Sequence, residues 1–163
     1  YTTLFRSQVL QIFADAYTPV VDSSAIPTGE IASVEGTPMD FRTEKQIGQD
    51  IRADFEQLHF TGGYDHNYVL GRPGEKKIMA NAYCRESGIA LEAATDCCGV
   101  QFYAGNFIGE QTGKGGAAYH DRSAFCLESQ FYPNAVNEPD FPSPVVKAGD
   151  TYHTETSYRF YLR

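Results

Sequence analysis

Apolar and polar residues alternate with a period of two along most of this chain, the pattern of strands that hide one face. Toward the C-terminus Tyr152, Thr154, Thr156, Tyr158, Phe160 and Leu162 fall on one side, with His153, Glu155, Ser157 and Arg159 on the other. Ile78, Ala80, Ala82 and Cys84 alternate with Met79, Asn81, Tyr83 and Arg85. Glu86-Ser87-Gly88 then turns the chain into Ile89, Leu91, Ala93 and Thr95, which predicts a β-hairpin. Further strands are expected over 8–14, 65–70, 99–104 and 124–128. Antiparallel sheets that each bury one face are the natural assembly, so the expected fold class is all-β, a sandwich.

Three stretches break the alternation. Thr43-Glu44-Lys45-Gln46 matches a helix capping box, and Ile47, Ile51, Phe55 and Leu58 follow at helical spacing. Gly48 weakens that pattern, so one short helix ending near Ile51 is expected. Pro133, Pro139, Pro142 and Pro144 predict an irregular loop lying on the sheet between Gln130 and Asp150. The glycine-rich segment 109–116 is expected to be a mobile surface loop.

Composition narrows the classes. The chain has 163 residues, 42 % hydrophobic and 21 % charged, enough for one domain that folds without disulfides or metals. A formal net charge of −8 with no Lys/Arg cluster argues against a nucleic-acid partner. No apolar run approaches the roughly 18 residues of a membrane helix. The four cysteines (Cys84, Cys97, Cys98, Cys126) form no C-x-x-C and have no histidine at zinc spacing. They read as small buried or half-buried thiols, and no metal is expected.

Candidate chemistry sits at three strand ends. In Gly62-Gly63-Tyr64-Asp65-His66-Asn67-Tyr68, alternation puts Asp65 and Asn67 on one face and His66 and Tyr68 on the other. In Gly99-Val100-Gln101-Phe102-Tyr103, Val100 and Phe102 turn inward while Gln101 and Tyr103 share the opposite face. Glu128 closes the apolar run Phe125-Cys126-Leu127. Desolvation disfavours the charged form of such a carboxylate and raises its pKa toward the range of a general base near neutral pH. Spacing does not establish that Asp65 and Glu128 meet.

Gly63-Tyr64-Asp65-His66-Asn67, Gly99-Val100-Gln101-Phe102-Tyr103, Cys126-Leu127-Glu128-Ser129-Gln130, and Asn134-Ala135-Val136-Asn137 through Phe141-Pro142 resemble successive motifs of aldose 1-epimerases. Segments from Thr18-Pro19 to Glu30, and Gly36-Thr37-Pro38-Met39-Asp40-Phe41-Arg42, are similar to that family too. The resemblance runs from about Gln8 to the C-terminus. It implies that residues 8–163 are the C-terminal half of a mutarotase-like β-sandwich, truncated at its N-terminus. Tyr1-Thr2-Thr3-Leu4-Phe5-Arg6-Ser7 resembles the translation of a sequencing-adapter oligonucleotide and is expected to belong to no fold.

The resemblance further implies an isomerase that interconverts the α and β anomers of free aldohexoses without a cofactor. Glu128 would be the base on the C1 hydroxyl, and Asp65 and Gln101 would hydrogen-bond the sugar. The family's acid histidine lies in the N-terminal half, so this chain by itself is expected to be weakly active or inactive. His66 is expected to pack, and His59, His120 and His153 to be solvated. Family members are cytosolic or exported, so the compartment stays open, with a cytoplasmic protein the leading expectation and a periplasmic or exported one the alternative. Cys97-Cys98 stands where the family commonly has Gln-Pro, a change that relaxes the turn without touching Gln101.

Two other readings compete. A sugar-phosphate mutarotase of the same fold needs clustered cations, whereas Arg42, Arg52, Arg85 and Arg122 occur in unrelated contexts. A non-catalytic carbohydrate-binding sandwich would use aromatic platforms from the 11 Tyr and 11 Phe. The glutamate in Cys126-Leu127-Glu128 favours the enzyme.

Overall fold

The computed structural model describes residues 8–163, so the adapter-like segment lies outside the described residues. Among the described residues twelve strands and one α-helix run in the order β1 (Gln8–Ile12), β2 (Ala16–Tyr17), β3 (Ala32–Ser33), β4 (Lys45–Gln46), α1 (Glu56–Phe60), β5 (Asp65–Val69), β6 (Lys77–Cys84), β7 (Ile89–Thr95), β8 (Gly99–Tyr103), β9 (Gln111–Thr112), β10 (Ala118–Tyr119), β11 (Cys126–Gln130) and β12 (Thr156–Leu162). Among the described residues two five-stranded antiparallel sheets form, β12-β7-β6-β1-β4 and β11-β8-β5-β2-β3. Their inner faces share one core: Leu10, Ile12, Met79, Ala82 and Ala93 from the first sheet meet Tyr17, Tyr68, Val100, Phe102 and Leu127 from the second. Phe102 stacks on Tyr64 at 5.2 Å between ring centroids and meets Phe41 edge-on at 5.4 Å. Aromatic pairs at these separations add to the area that they bury.

The hairpin β6–β7 forms as its alternation predicts, and Gly88 closes it with φ +70°. The alternation itself slips at one point. The register shifts between Ile78 and Ala80, so Met79 and Ala80 are both buried while Ile78 is exposed. An extra residue in one strand turns two neighbours inward, the ordinary effect of a β-bulge.

The expected helix from Thr43 to Ile51 is absent. Lys45 and Gln46 instead pair with Leu10 and Val9, turns follow, and the helix forms later as α1. Ile47, Ile51 and Leu58 are buried nonetheless. Long-range pairing with β1 overrides the capping signal, and α1 is held by tertiary contact: the Gln57 amide accepts from the Val20 N–H and donates to the Val20 carbonyl. Segment 109–116 is also more regular than expected, since β9 and β10 pair across a 3-10 turn at Lys114–Gly116.

The proline-rich loop after β11 lies on the second sheet, as its composition predicts. Tyr132, Ala135 and Phe141 form a second small core with Cys98, joined by Val69 and Phe131. Cys97 and Cys98 are buried and Cys84 half-buried, but Cys126 is exposed. None of the four is in a disulfide.

Candidate functional site

Register builds the site. β5, β8 and β11 are neighbours, and Asn67 lies opposite Gln101, which lies opposite Glu128. One row on, Asp65 lies opposite Tyr103, which lies opposite Cys126. Residues directly opposite in an antiparallel ladder share a face. The outer face of this sheet therefore collects Asp65, Asn67, Gln101, Tyr103, Cys126 and Glu128, while His66, Tyr68, Val100, Phe102 and Leu127 fill its inner face.

The loop over Tyr132 and Phe141 covers the Val69–Gly99 end of that outer face and leaves the Asp65–Cys126 end open. Where covered and open ends meet, hydrogen bonds link the amides. Gln130 Nε2 donates to Asn67 Oδ1 at 3.2 Å and to Gln101 Oε1 at 3.0 Å. Gln101 Nε2 in turn donates to Asp65 Oδ1 at 2.8 Å. Asn67 is buried, Gln101 and Asp65 are half-buried, and Glu128 is exposed. Gly99 makes room for this arrangement, because a Cβ there would stand 2.3 Å from Asn67 Oδ1.

Both carboxyls titrate above their ordinary range. Burial raises Asp65, and the hydrogen bond from Gln101 partly opposes it. Glu128 is raised first by the partial burial of its carboxyl against the sheet and then by the negative charge of Asp65. The Asp65 charge therefore reaches the Glu128 carboxyl. The Tyr158 hydroxyl donates to the Leu127 carbonyl at 2.8 Å, tying β12 to β11 beside Glu128.

The four histidines fall elsewhere. His66 is fully buried on the inner face, where desolvation lowers its pKa to about 4 and keeps the ring neutral. Its Nδ1 accepts the Asp65 backbone N–H at 3.3 Å, and its ring meets Tyr17 edge-on. His59 lies near Asp54 and is exposed, His120 pairs with Glu110, and His153 is exposed. Of the expected solvated trio, His59 and His120 thus each have a carboxylate partner, Asp54 at 3.5 Å and Glu110 at 2.7 Å. Among the described residues no three His, Cys, Asp or Glu side chains are placed to hold a metal ion. No helix among them is long and apolar enough to cross a membrane.

Sequence reasoning singled out Asp65, Gln101 and Glu128, and the structure brings all three to one sheet face. It gave no role to Gln130. The available signal was its position two residues beyond Glu128, which places it on the same face.

Fold and face together define a β-sandwich protein with two carboxyls and linked side-chain amides on one sheet face. The family model described as aldose 1-epimerase matches residues 3–159. The chain belongs to the aldose 1-epimerase family. It is 45 % identical over 150 residues to the galactose mutarotase of Sus scrofa, covering 91 % of this chain and 42 % of that protein. It is 37 % identical over 158 residues to the aldose 1-epimerase of Escherichia coli (strain K12), covering 95 % of this chain and 45 % of that protein. A solved aldose epimerase homologue from C. elegans superposes with a TM-score of 0.79 at 28 % identity, over 97 % of this chain and 46 % of that one. The chain thus spans somewhat under half the length of the relatives it matches.

Proposed function

We propose that the protein containing this chain is an aldose 1-epimerase acting on free aldohexoses such as glucose or galactose. The observation that carries the reading is the cross-strand row in which Glu128 stands opposite Gln101, itself hydrogen-bonded to Asp65. A carboxylate with a raised pKa next to a hydrogen-bonding pair is what proton abstraction from a positioned sugar hydroxyl requires.

In this reaction Glu128 takes the proton from the C1 hydroxyl, the C1–O5 bond breaks and the C1 carbonyl forms. An acid protonates O5 as it leaves. Rotation about C1–C2 presents the other face of the aldehyde, and closure returns both protons to give the opposite anomer. Asp65 and Gln101 hold sugar hydroxyls so that C1 stays over the base. The acid is assigned to a histidine outside these residues, following the family resemblance. His66 is unsuited because its ring is buried on the far side of the sheet.

The test is Glu128→Gln in the full-length protein, with mutarotation of α-D-glucose followed by polarimetry and sugar binding by calorimetry. Exchange should fall by about 10²–10⁴-fold, the usual worth of a positioned acid–base group. Binding should persist. Unchanged turnover overturns the reading, and binding without any exchange in the unmodified protein favours a carbohydrate-binding module instead.

A further inference from the structure

We infer that Gln130 is a positioning residue of this site: its side-chain amide fixes the orientation of Gln101, and through it that of Asp65. The inference rests on the reading of the site given above and deepens it.

Gln130 Nε2 has two protons, and two acceptors take them, Asn67 Oδ1 and Gln101 Oε1. A primary amide can turn over and exchange its oxygen and nitrogen ends, and only its neighbours decide which end points where. With Gln130 donating to Oε1, the Gln101 nitrogen must face Asp65, as it does at 2.8 Å. The reversed amide would set a carbonyl oxygen against a carboxylate. Asp65 Oδ1 is thereby engaged, which holds Oδ2 in a fixed direction for a ligand hydroxyl.

Two features show that the fold accommodates this linkage. Gln130 pairs with Gly99, the one position in its row without a side chain, so its amide can cross the strand to reach Asn67. Asn67 is almost wholly buried and its Nδ2 has no hydrogen-bond partner, so packing and the bond from Gln130 to its Oδ1 hold the anchor end. On the face of Asp65 stand Tyr103, directly opposite, and Gln101 on β8, with Cys126 and Glu128 one strand further on β11; burial raises the Asp65 carboxyl, and the bond from Gln101 is the opposing influence.

The experiment is a double-mutant cycle of Gln130→Leu and Gln101→Leu in the full-length protein, read in two ways. Carbon-13 NMR of the Asp65 carboxyl needs no activity: each single variant should titrate at higher pH than the parent, and the double variant no higher than Gln101→Leu. In the mutarotation assay, KM for glucose should rise roughly tenfold in Gln130→Leu, the size of one hydrogen bond to a charged group, with kcat less affected. Little further loss should follow in the Gln101→Leu background. Gln130→Glu guards against a folding defect. Its ionised side chain cannot donate, so the ratio of its KM to the parent's, measured at the same pH, should be raised at pH 7 and shrink as pH falls and the side chain takes up a proton. An Asp65 titration unmoved by Gln130→Leu, or KM effects that add fully across the cycle, overturns the inference. If the unmodified protein exchanges no anomers while the NMR cycle behaves as stated, it is the proposed function that fails and not the linkage.

Discussion

At the scale of single residues, the site carries stress that substitution should relieve. Asp65 and Glu128 both have folded-state pKa values above those of free carboxyls. A carboxyl raised in this way favours folding below its unfolded pKa, and that contribution is lost as pH rises through the folded value. Asp65→Asn should therefore raise the urea midpoint at pH 7 and leave it nearly unchanged at pH 3, while abolishing tight sugar binding. Gly99→Ala should act in the other direction. Its Cβ would meet Asn67 Oδ1 at 2.3 Å and Tyr132 Cδ1 at 3.0 Å, an overpacking that costs about 1–3 kcal/mol. Chemical denaturation measures that loss, and adding Asn67→Ala should recover part of it by removing the nearer atom.

At the scale of elements, the entry to β5 decides where Asp65 begins. Gly63 has φ +140°, and a Cβ there would lie 2.4 Å from Asn106 Oδ1. Asn106 is buried and donates through Nδ2 to the carbonyls of Thr61 and Tyr64, both at 3.0 Å. It therefore stitches the loop after β8 to the turn before β5. Asn106→Ala leaves two buried carbonyls without that donor and should cost about 1–3 kcal/mol. Because the turn carries Asp65, hydrogen exchange of the Asp65–Asn67 amides should quicken in that variant. Unchanged protection there would show that the turn is held by other contacts. The absent helix at Thr43 makes the complementary point. A capping box of four residues offers a local gain of about 1 kcal/mol, and pairing with β1 outweighs it.

At the scale of the whole molecule, His66 links stability to pH. Its folded pKa of about 4 lies below the unfolded 6.5, so the folded state disfavours the proton. Stability is full above pH 6.5, declines as pH falls below it, and has lost this contribution by about pH 4. His66→Gln should flatten the pH dependence of the denaturation midpoint between those values. A slope identical to the parent's would assign the acid sensitivity to other groups. The outer strand β12 is a second global feature. Phe160 is 69 % and Leu162 81 % exposed, with Tyr158 and Ile89 also exposed. An apolar sheet edge of this kind invites pairing with another strand. The 163-residue chain should self-associate at micromolar concentration in light scattering, and Phe160→Lys should reduce it.

The sequence by itself determined which side chains share a face. Period-two alternation is a property of the extended backbone, so Asp65 with Asn67, Gln101 with Tyr103, and inward Val100 with Phe102 were legible from spacing. It failed where a local rule met a longer-range one, at the bulge beside Met79 and at Lys45–Gln46. Only the tertiary structure decided register: that Glu128 stands opposite Gln101 and that Gln130 reaches across Gly99. Strand pairing is fixed by the burial of whole faces and by loops closing over distant residues, and a slip of one residue would send the same carboxylate into the core.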